Sequence, residues 1–312
     1  MLIPTYNRAE VLRETLNALT RVDRANINYE IVVIDNNSSD ATAEVVKQFQ
    51  TDLSLSLLTE ARPGKNCALN KALRECSLKD IVVFTDDDVT PAPDWFQQII
   101  SCAWRWPKIA VFGGEVEVSW PNDQVPEWAT IDWVAAFGFS KHSYADTEVY
   151  YNPPACPFGP NFWVRKSVFE KVPFFDETIG PSSVKRIMGS ETSLLMQLQR
   201  LGFEMLYCPD AKVRHRIAAK ECHLGRLRRR GFTFGRGQIR LWGLHRPAIY
   251  RRSKVLWCLV LALDYCYAGL RFVYGLLIRD PKRNCVTTVE AMIRFGQLAE
   301  TVNQFLYQPK RT

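Results

Sequence analysis

Three consecutive carboxylates, Asp86, Asp87 and Asp88, follow the apolar run Ile-Val-Val-Phe-Thr at residues 81–85. A run of four to eight such residues with turn-forming residues on each side is typical of a strand buried on both faces. Three adjacent negative charges at its end are costly unless a cation neutralises them, and a hard divalent metal takes oxygen ligands and bridges to substrate phosphates. Because open α/β sheets bind ligands at the carboxyl ends of their strands, the pattern predicts a metal–phosphate site. A solvated acidic turn before the next helix is the alternative.

The elements around these carboxylates alternate between strand and helix over the first 110 residues. The apolar patterns predict strands at 2–3, 30–34, 53–59 and 81–85, and helices at 9–20, 41–49 and 66–76. Strands and helices that alternate in this way form right-handed βαβ units around a parallel sheet. The expected fold class is therefore α/β, with a mostly parallel sheet flanked by helices.

The next hundred residues are less regular. The patterns predict a strand at 110–120, a strand or helix start at 162–168, a helix at 191–201 and a strand at 204–208. Residues 121–157 are rich in prolines and aromatic residues. They suit a lid or a wall on the acceptor side of a site, with a packed surface loop as the alternative.

Composition and cysteine usage favour an intracellular globular protein. The chain of 312 residues is 47% hydrophobic, which supports one large domain or two moderate ones. Its nine cysteines are scattered and form no C-x-x-C pair, so we expect reduced thiols in a cytosolic setting rather than a zinc site or disulfides. The chain opens without an apolar leader, so no signal peptide is expected, although the short first strand suggests a start a few residues earlier.

Charge divides the chain into an acidic body and a basic tail. Residues 1–211 carry 19 Lys and Arg against 28 Asp and Glu, whereas residues 212–254 carry 14 against one. This asymmetry indicates an anionic partner for the tail. Nucleic acid is disfavoured as that partner because the acidic body would repel it.

The tail at 221–312 is expected to be helical and to associate with a membrane. Arginines interleave with apolar residues from Arg226 to Trp242, and the apolar stretch 255–278 is long enough to span a bilayer. Asp264 and Arg271 interrupt that stretch on one helix face, where they would pair with one another or face protein. A further amphipathic helix is expected at 286–306, and a helical pair packed on the rest of the protein is the alternative to membrane association.

Several short motifs follow one another along residues 1–220. They are Pro4-Thr5-Tyr6-Asn7-Arg8, Val32 through Asp40, Gly64-Lys65-Asn66-Cys67-Ala68-Leu69-Asn70, Asp86-Asp87-Asp88, Gly159-Pro160-Asn161-Phe162, Phe175-Asp176-Glu177 and Gly189-Ser190-Glu191-Thr192. In this order they resemble the family 2 glycosyltransferases with the GT-A fold. The resemblance implies a catalytic domain at 1–220 with a Rossmann-like sheet that binds a nucleotide sugar, followed by the helical region at 221–312.

The resemblance also implies roles for single residues. The donor would be contacted by Pro4, Thr5, Asn7, Asp35, Lys65, Asp86 and Asp87. Asp35 matches the residue that binds the nucleotide base, with an Asx turn as the alternative, and Lys65 and Arg62 would hold phosphates unless they are solvated surface cations. Asp86, Asp88 and His215 would bind Mg²⁺ or Mn²⁺, with a structural role as the alternative for His215.

Glu191 matches the family's catalytic base. Displacement at a sugar carbon needs a carboxylate to take the proton of the acceptor hydroxyl. Alignment on Gly202 places Ser190 and Glu191 where family members often carry Glu-Asp, and Ser190 and Ser193 depart from the pattern. The alternative for Glu191 is a first-turn carboxylate that the helix dipole favours. Positions that contact the donor sugar or the acceptor in the family are matched by Gly159, Asn161 and Trp163.

The expected function is that of an inverting, metal-dependent glycosyltransferase. It would move a sugar from a nucleotide donor, with UDP the expected nucleotide, to a glycan or polyprenyl-linked acceptor in polysaccharide biosynthesis. The tail would place it on the anionic cytoplasmic face of a membrane. One alternative is a catalytically inactive nucleotide-sugar-binding or scaffold protein. The other is a sugar nucleotidyltransferase, which is disfavoured because the loop after the first strand lacks the glycine that such enzymes need.

Overall fold

The computed structural model describes residues 1–170, 172, 174–181, 186–241, 253–277 and 280–306. These residues form the strands β1 (Leu2–Thr5), β2 (Ile31–Asp35), β3 (Leu55–Thr59), β4 (Ile81–Phe84), β5 (Val89–Pro91), β6 (Val111–Ser119), β7 (Val149–Tyr150), β8 (Phe162–Arg165) and β9 (Met205–Arg216). They also form the helices α1 (Ala9–Leu19), α2 (Thr42–Phe49), α3 (Lys65–Glu75), α4 (Trp95–Arg105), α5 (Asp132–Phe139), α6 (Ser190–Arg200), α7 (Leu224–Leu241), α8 (Lys254–Leu277) and α9 (Pro281–Leu306).

The strands form one mixed sheet in the order β3-β2-β1-β4-β8-β6-β9-β5, and β7 pairs with β9. Strands β1 to β4, β6 and β9 run in one direction, while β8 runs antiparallel between β4 and β6. The short strands β5 and β7 are antiparallel to β9. The predicted α/β class with a mostly parallel sheet is therefore confirmed.

The sheet is covered on both faces because its side chains alternate between two apolar clusters. In β1, Leu2 belongs to one cluster and Ile3 to the other, and Val32 and Val33 divide in the same way in β2. The cluster of Ile3 and Val33 includes α1, α2 and α4, and the cluster of Leu2 and Val32 includes α3 and α6. This burial fixes the strands so that the carboxyl ends of β1, β2 and β4 meet at one edge.

The chain clusters into two compact units. Unit 1 comprises Met1–Asp123, Phe139–Val184 and Ser190–Ile217, and unit 2 comprises Gln124–Gly138, Lys185–Gly189 and Ala218–Thr312. Unit 1 holds the sheet with α1 to α4 and α6, and unit 2 holds α7 to α9 and nearly all of α5. The division at residue 220 into a catalytic and a membrane-associating region stays a prediction about function.

Within unit 2, glycines allow α7 and α9 to pack at close distance. A Cβ added at Gly235 would lie 2.0 Å from the Ile293 carbonyl oxygen, and one at Gly296 would lie 2.0 Å from the Phe232 carbonyl oxygen. The buried Glu300 of α9 accepts hydrogen bonds from two α7 arginines, 2.9 Å from Arg236 Nε and 2.8 Å from Arg240 Nε. Part of the basic charge of the tail is therefore neutralised inside this helical unit.

Gly235→Ala is expected to destabilise the helical unit by about 1–3 kcal/mol, because the new methyl group overpacks the α7–α9 contact. Gly269→Ala in α8 is the matched control, since nothing lies within 4 Å of a Cβ at that position. The control is expected to be neutral or to stabilise by up to about 1 kcal/mol through the gain in helix propensity. Urea unfolding followed by circular dichroism measures both changes, and equal shifts for the two variants would contradict this account of the contact.

The structure corrects several expectations about single elements. Residues 121–157 contain α5 and β7, and the predicted strand at 204–208 extends to Arg216. Residues 89–91 form β5, which pairs with the distant end of β9 as Val89 opposite His215. A strand of three residues whose partner lies so far along the chain leaves no local pattern, because its pairing with β9 and the burial of Val89 in the core are tertiary contacts.

The expectation that all cysteines are reduced is wrong for Cys102 and Cys208. These residues, which are 106 positions apart, form a disulfide between α4 and β9. The seven other cysteines are free. The pairing results from the packing of α4 against β9 in the core of unit 1, which spacing along the sequence does not encode.

Helix α8 contains the predicted apolar stretch. Among the described residues, Val255–Leu277 is long and apolar enough to cross a membrane, with a mean hydropathy of 1.5. Of the two predicted alternatives for Asp264 and Arg271, the structure shows contact with protein. Asp264 pairs with Arg294 at 3.6 Å and Arg271 pairs with Glu290 at 2.9 Å, both on α9. The predicted ends of the basic and apolar runs, Trp242 and Ile278, lie outside the described residues.

Candidate active site

The three consecutive aspartates lie at the edge of the sheet where parallel strands end. They follow β4, whose neighbour β1 ends at Thr5, and β1 pairs in register with β2 so that Thr5 is opposite Asp35. The predicted residues at the ends of three strands are thus brought to the same edge, as expected for strands that run in parallel.

Arg8 partly neutralises two adjacent buried carboxylates. Its guanidinium bridges them, with Nη1 2.6 Å from Asp87 Oδ1 and Nη2 2.9 Å from Asp88 Oδ2. The Thr5 hydroxyl donates to the other oxygen of Asp87 at 2.7 Å. Burial nevertheless raises the pKa of Asp87 to about 7, since the neighbouring aspartates add to the effect and Arg8 only partly opposes it. Arg8 is not among the predicted site residues, although it lies in the loop after β1, whose neighbour in the sheet is β4.

Asp88 faces His215 from β9. The Nδ1–H of His215 donates to the Phe139 carbonyl oxygen at 2.6 Å, and Nε2 lies 3.4 Å from Asp88 Oδ1. That oxygen of Asp88 is buried and accepts no hydrogen bond from the part of the chain that the structure describes. Burial alone would raise the pKa of Asp88, but His215 and Arg8 outweigh it and hold that pKa well below its usual range.

The residues around Asp88 fit a divalent cation. A buried carboxylate oxygen without a hydrogen-bond partner points toward a ring nitrogen whose tautomer is fixed by the backbone, which is how histidine ligands are commonly oriented. The local charge agrees, because Asp86, Asp87, Asp88 and Glu191 bring four carboxylates together, with Arg8 and Lys65 as their ion-pair partners. An oxygen and imidazole donor set suits Mn²⁺ better than Mg²⁺. Three candidate ligand atoms within 4.8 Å of one another occur in the described residues only at Cys102, Glu148 and Cys208, where the disulfide already uses both sulfurs.

Lys65 joins the aspartates to the predicted base. Its ammonium lies 2.6 Å from Asp86 Oδ1 and also contacts Glu191 Oε1. Burial would lower the pKa of Lys65, but the two carboxylates more than offset this and raise it. Lys65 is therefore not a solvated surface cation, and Asp86 pairs with it. Gly159 leaves room for Glu191, because a Cβ there would lie 2.9 Å from the Glu191 carboxyl carbon.

The polar face of α3 is hydrogen-bonded to residues 175–179 and to Ser190, the neighbour of Glu191. The Asn66 amide donates to the Asp176 and Ile179 carbonyl oxygens at 2.7 and 2.9 Å and accepts from the Ser190 hydroxyl. Asn70 exchanges two hydrogen bonds of 2.9 Å with the backbone of Phe175. Ser190, which departs from the family pattern, thus has a structural role next to Glu191. Asn66 and Asn70 were quoted within a motif, and no role was predicted for either.

Asn66→Ala is expected to destabilise unit 1 by about 2–3 kcal/mol, because it leaves buried carbonyl oxygens and the Ser190 hydroxyl without partners. Asn17→Ala is the matched control, since Asn17 is an exposed asparagine on α1 and should change stability by no more than about 0.5 kcal/mol. Urea unfolding measures the difference. If Asn66→Ala proved as neutral as the control, these hydrogen bonds would not stabilise the unit.

The predicted nucleotide-side residues surround the turn after β2. Asp35 Oδ1 accepts from the Ser38 backbone N–H, three residues on, at 2.9 Å, so this side chain shapes the turn before α2. Asn7 joins the same turn, donating its backbone N–H to the Ser38 hydroxyl and accepting from the Ser39 backbone N–H. Pro4 is buried within β1 opposite Ile34. Contact of these residues with a nucleotide stays a prediction.

Three residues differ from their expected roles. Arg62 does not stand free for phosphates, because it pairs with Glu60 at 2.9 Å and Glu177 at 2.8 Å. Trp163 is fully buried and stacks on Phe112, and Asn161 is fully buried with hydrogen bonds to backbone carbonyls and to an indole. The expectation that Asn161 and Trp163 contact a sugar is wrong, since both lie in the core.

Arg216 holds the aspartate turn through hydrogen bonds. No role for this residue was predicted from the sequence. Its backbone N–H donates to the Asp88 carbonyl oxygen at 2.8 Å. Its guanidinium donates to Thr15 Oγ1 at 2.7 Å and Thr90 Oγ1 at 3.0 Å, and Thr15 in turn donates to the Asp87 carbonyl oxygen. These bonds tie α1, β5 and β9 to the aspartate turn. The role depends on the extension of β9, which the sequence pattern did not predict.

Comparison with solved structures agrees with this architecture. The mannosyltransferase PcManGT from Pyrobaculum calidifontis in complex with GDP-Man and Mn²⁺ superposes with a TM-score of 0.61 at 20% identity, over 98% of this chain and 86% of that one. S. aureus TarS 1–349 in complex with UDP superposes with a TM-score of 0.53 at 15% identity, over 99% and 92% of the two chains. These likenesses confirm the predicted GT-A fold.

Comparison of sequences identifies the family. Glycosyltransferase AglE of Haloferax volcanii is 27% identical over 268 residues, which cover 83% of this chain and 79% of AglE. The probable glycosyltransferase YdaM of Bacillus subtilis is 25% identical over 222 residues, 68% of this chain and 49% of YdaM. The profile described as "Glycosyl transferase family 2" matches residues 1–172, more than half of the chain. The protein is therefore a glycosyltransferase and belongs to glycosyl transferase family 2.

Proposed function

We propose that this glycosyltransferase is metal-dependent and inverting, and that it moves a sugar from a UDP-linked donor to a glycan or lipid-linked acceptor. One observation carries the proposal. The ammonium of Lys65 contacts both Asp86 and Glu191. A single side chain therefore connects the proposed base to the aspartates that would lie next to the diphosphate. The departure at Ser190 no longer favours an inactive protein, because its hydroxyl has a structural partner in Asn66.

The proposed reaction is a single displacement. The acceptor oxygen forms a bond to the anomeric carbon, the bond from that carbon to the diphosphate oxygen breaks, and Glu191 takes the proton of the acceptor hydroxyl. Phosphate oxygens of the donor would compete with Glu191 for the Lys65 ammonium and so free the Glu191 carboxylate to act as a base. One displacement at the anomeric carbon inverts its configuration.

Asp88 and His215 would hold the divalent cation, with Asp86 beside them. Bound there, Mn²⁺ or Mg²⁺ would neutralise charge on the departing nucleoside diphosphate. The complexes of PcManGT with GDP-Man and Mn²⁺ and of TarS with UDP support a nucleoside diphosphate sugar as the donor. UDP is our proposal for the nucleotide.

We also propose that residues 221–312 bind an anionic membrane surface on the cytoplasmic side, where a polyprenyl-linked acceptor would be found. Exposed arginines of α7, such as Arg228 and Arg229, and exposed apolar residues of α8 support this assignment.

Nucleotide binding tests the proposed reaction. Isothermal titration of the full chain with UDP and GDP, with Mn²⁺, with Mg²⁺ and with EDTA, should show binding of UDP that EDTA abolishes. Release of nucleoside diphosphate from a panel of nucleotide sugars then tests turnover. Binding of GDP alone would overturn the choice of nucleotide, and the absence of binding to either nucleotide with either metal would overturn the proposed function.

A further inference from the structure

Helix α8 presents one continuous apolar face to solvent. Large side chains that are between 49% and 77% exposed recur every three or four residues and so share one side of the helix. We call this side the α8 stripe, and its members are Leu256, Leu259, Leu263, Tyr267, Leu270, Tyr274 and Leu277. The stripe contains no charged residue and runs along a helix about 36 Å in length.

The opposite side of α8 packs against other residues of the protein. Trp257, Leu261 and Ala268 are buried on that side, and the two charged residues of the helix pair with Arg294 and Glu290 of α9. Helix α9 in turn is bonded to α7 through the buried Glu300. If α8 crossed a bilayer, it would break these ion pairs or carry the charges of α9 into hydrocarbon, and both are costly.

The charges that flank α8 also disfavour a spanning orientation. Three cations precede the stripe, Arg251, Arg252 and Lys254. Three follow it, Arg279, Lys282 and Arg283, together with one anion, Asp280. Spanning helices are oriented by an excess of cations on one side, and here the two ends carry the same number of cations. Cations at both ends instead allow both ends to meet the same layer of anionic headgroups.

A second copy of the chain fits the stripe less well than a membrane does. Two stripes packed against each other would bring a cationic end of one helix next to a cationic end of the other in either orientation, because both flanks carry a net positive charge. Like charges at an interface oppose association, whereas anionic lipids complement both ends.

We infer that α8 lies in the plane of an anionic membrane, with the α8 stripe in the boundary between headgroups and acyl chains and α9 on its protein side. The inference rests on the proposed membrane association of residues 221–312 and deepens it, since it names the contacting surface and excludes a span. In-plane helices of this kind owe their binding to buried apolar area and to attraction between cations and anionic lipids.

Cosedimentation with vesicles tests the inference. The full chain should bind vesicles of phosphatidylcholine with 30% phosphatidylglycerol more tightly than vesicles of phosphatidylcholine alone. The double variant Leu263→Glu/Leu270→Glu should lower the partition coefficient at least about tenfold, because two leucines leave the acyl boundary and two anions meet anionic lipid. Trp104→Glu is the matched control, since Trp104 is 80% exposed on α4 in unit 1 and should leave binding unchanged.

The remaining measurements separate the possible failures. Alkaline carbonate should release the wild type from vesicles, and retention in the pellet would overturn the in-plane orientation. Vesicle binding that the double variant keeps would overturn the role of the stripe, as would a lipid-free dimer that the same variant dissociates. Thermal unfolding checks that the variant folds, with Tyr267→Ser/Tyr274→Ser as a second stripe variant. Wild type that binds no vesicle but still binds nucleotide would refute membrane association and leave the proposed reaction intact.

Discussion

Glu191→Gln is expected to abolish glycosyl transfer while donor binding persists. The amide cannot take the proton of the acceptor hydroxyl, so turnover should fall by about 10²- to 10⁴-fold. Its carbonyl oxygen can still accept a hydrogen bond from Lys65, which holds this side chain in the structure. Release of nucleoside diphosphate measures turnover, and titration with the nucleotide in the presence of Mn²⁺ measures binding.

Glu204→Gln is the matched control for this experiment. Glu204 is an exposed carboxylate between α6 and β9, and its loss should leave both measurements unchanged. Turnover at the wild-type rate in Glu191→Gln would show that another group acts as the base. Equal losses of turnover and of nucleotide binding would show instead that Glu191 holds Lys65 for the donor and takes no proton.

Local sequence patterns predict those site residues that lie at the ends of parallel strands. Asp35 and the aspartates at 86–88 each follow a run of apolar residues, and the alternation of strands with helices places such strand ends at one edge. Glu191 was placed through family resemblance, because its position at the start of a helix is common to many carboxylates without a catalytic role.

The other site residues depend on tertiary contacts that no local pattern encodes. Arg8 lies in a quoted motif, yet its bridge to Asp87 and Asp88 forms only because β1 and β4 are neighbours in the sheet. His215 reaches Asp88 because β9 extends beyond its predicted end and pairs with β5. Charged residues with partners this far along the chain resemble solvated residues when the sequence is considered alone.

The same limit applies to the tail. The apolar character of α8 was evident in the sequence, but composition could not distinguish a span from a helix that exposes one face. Exposure at the α8 stripe and the partners of Asp264 and Arg271 on α9 are the observations on which our inference of an in-plane helix rests. Whether charged residues inside an apolar run face each other or a second helix is decided by packing.

Asp88→Asn is expected to remove metal-dependent nucleotide binding and also to destabilise the fold, because Arg8 and His215 lose a buried charged partner. The buried Oδ1 of Asp88 faces His215 without a hydrogen bond, and an amide at this position cannot supply the negative charge that a divalent cation needs. We expect Mn²⁺-supported affinity for UDP to fall on the order of 100-fold or more, since even residues that only support metal ligands contribute 10- to 100-fold. Titration with and without Mn²⁺ measures the loss.

Asp87→Asn makes the comparison decisive, because it changes the adjacent residue in the same chemical way. Both oxygens of Asp87 are already used by Arg8 and Thr5, so this carboxylate has a structural role and its replacement should cost about 1–3 kcal/mol of stability. Metal-supported nucleotide binding should survive in the folded fraction. Loss of Mn²⁺-dependent binding in folded Asp88→Asn, together with its retention in Asp87→Asn, would assign the metal to Asp88. Loss of Mn²⁺-dependent binding in Asp87→Asn alone would transfer the metal to Asp87, and the geometry around His215 would then serve the fold.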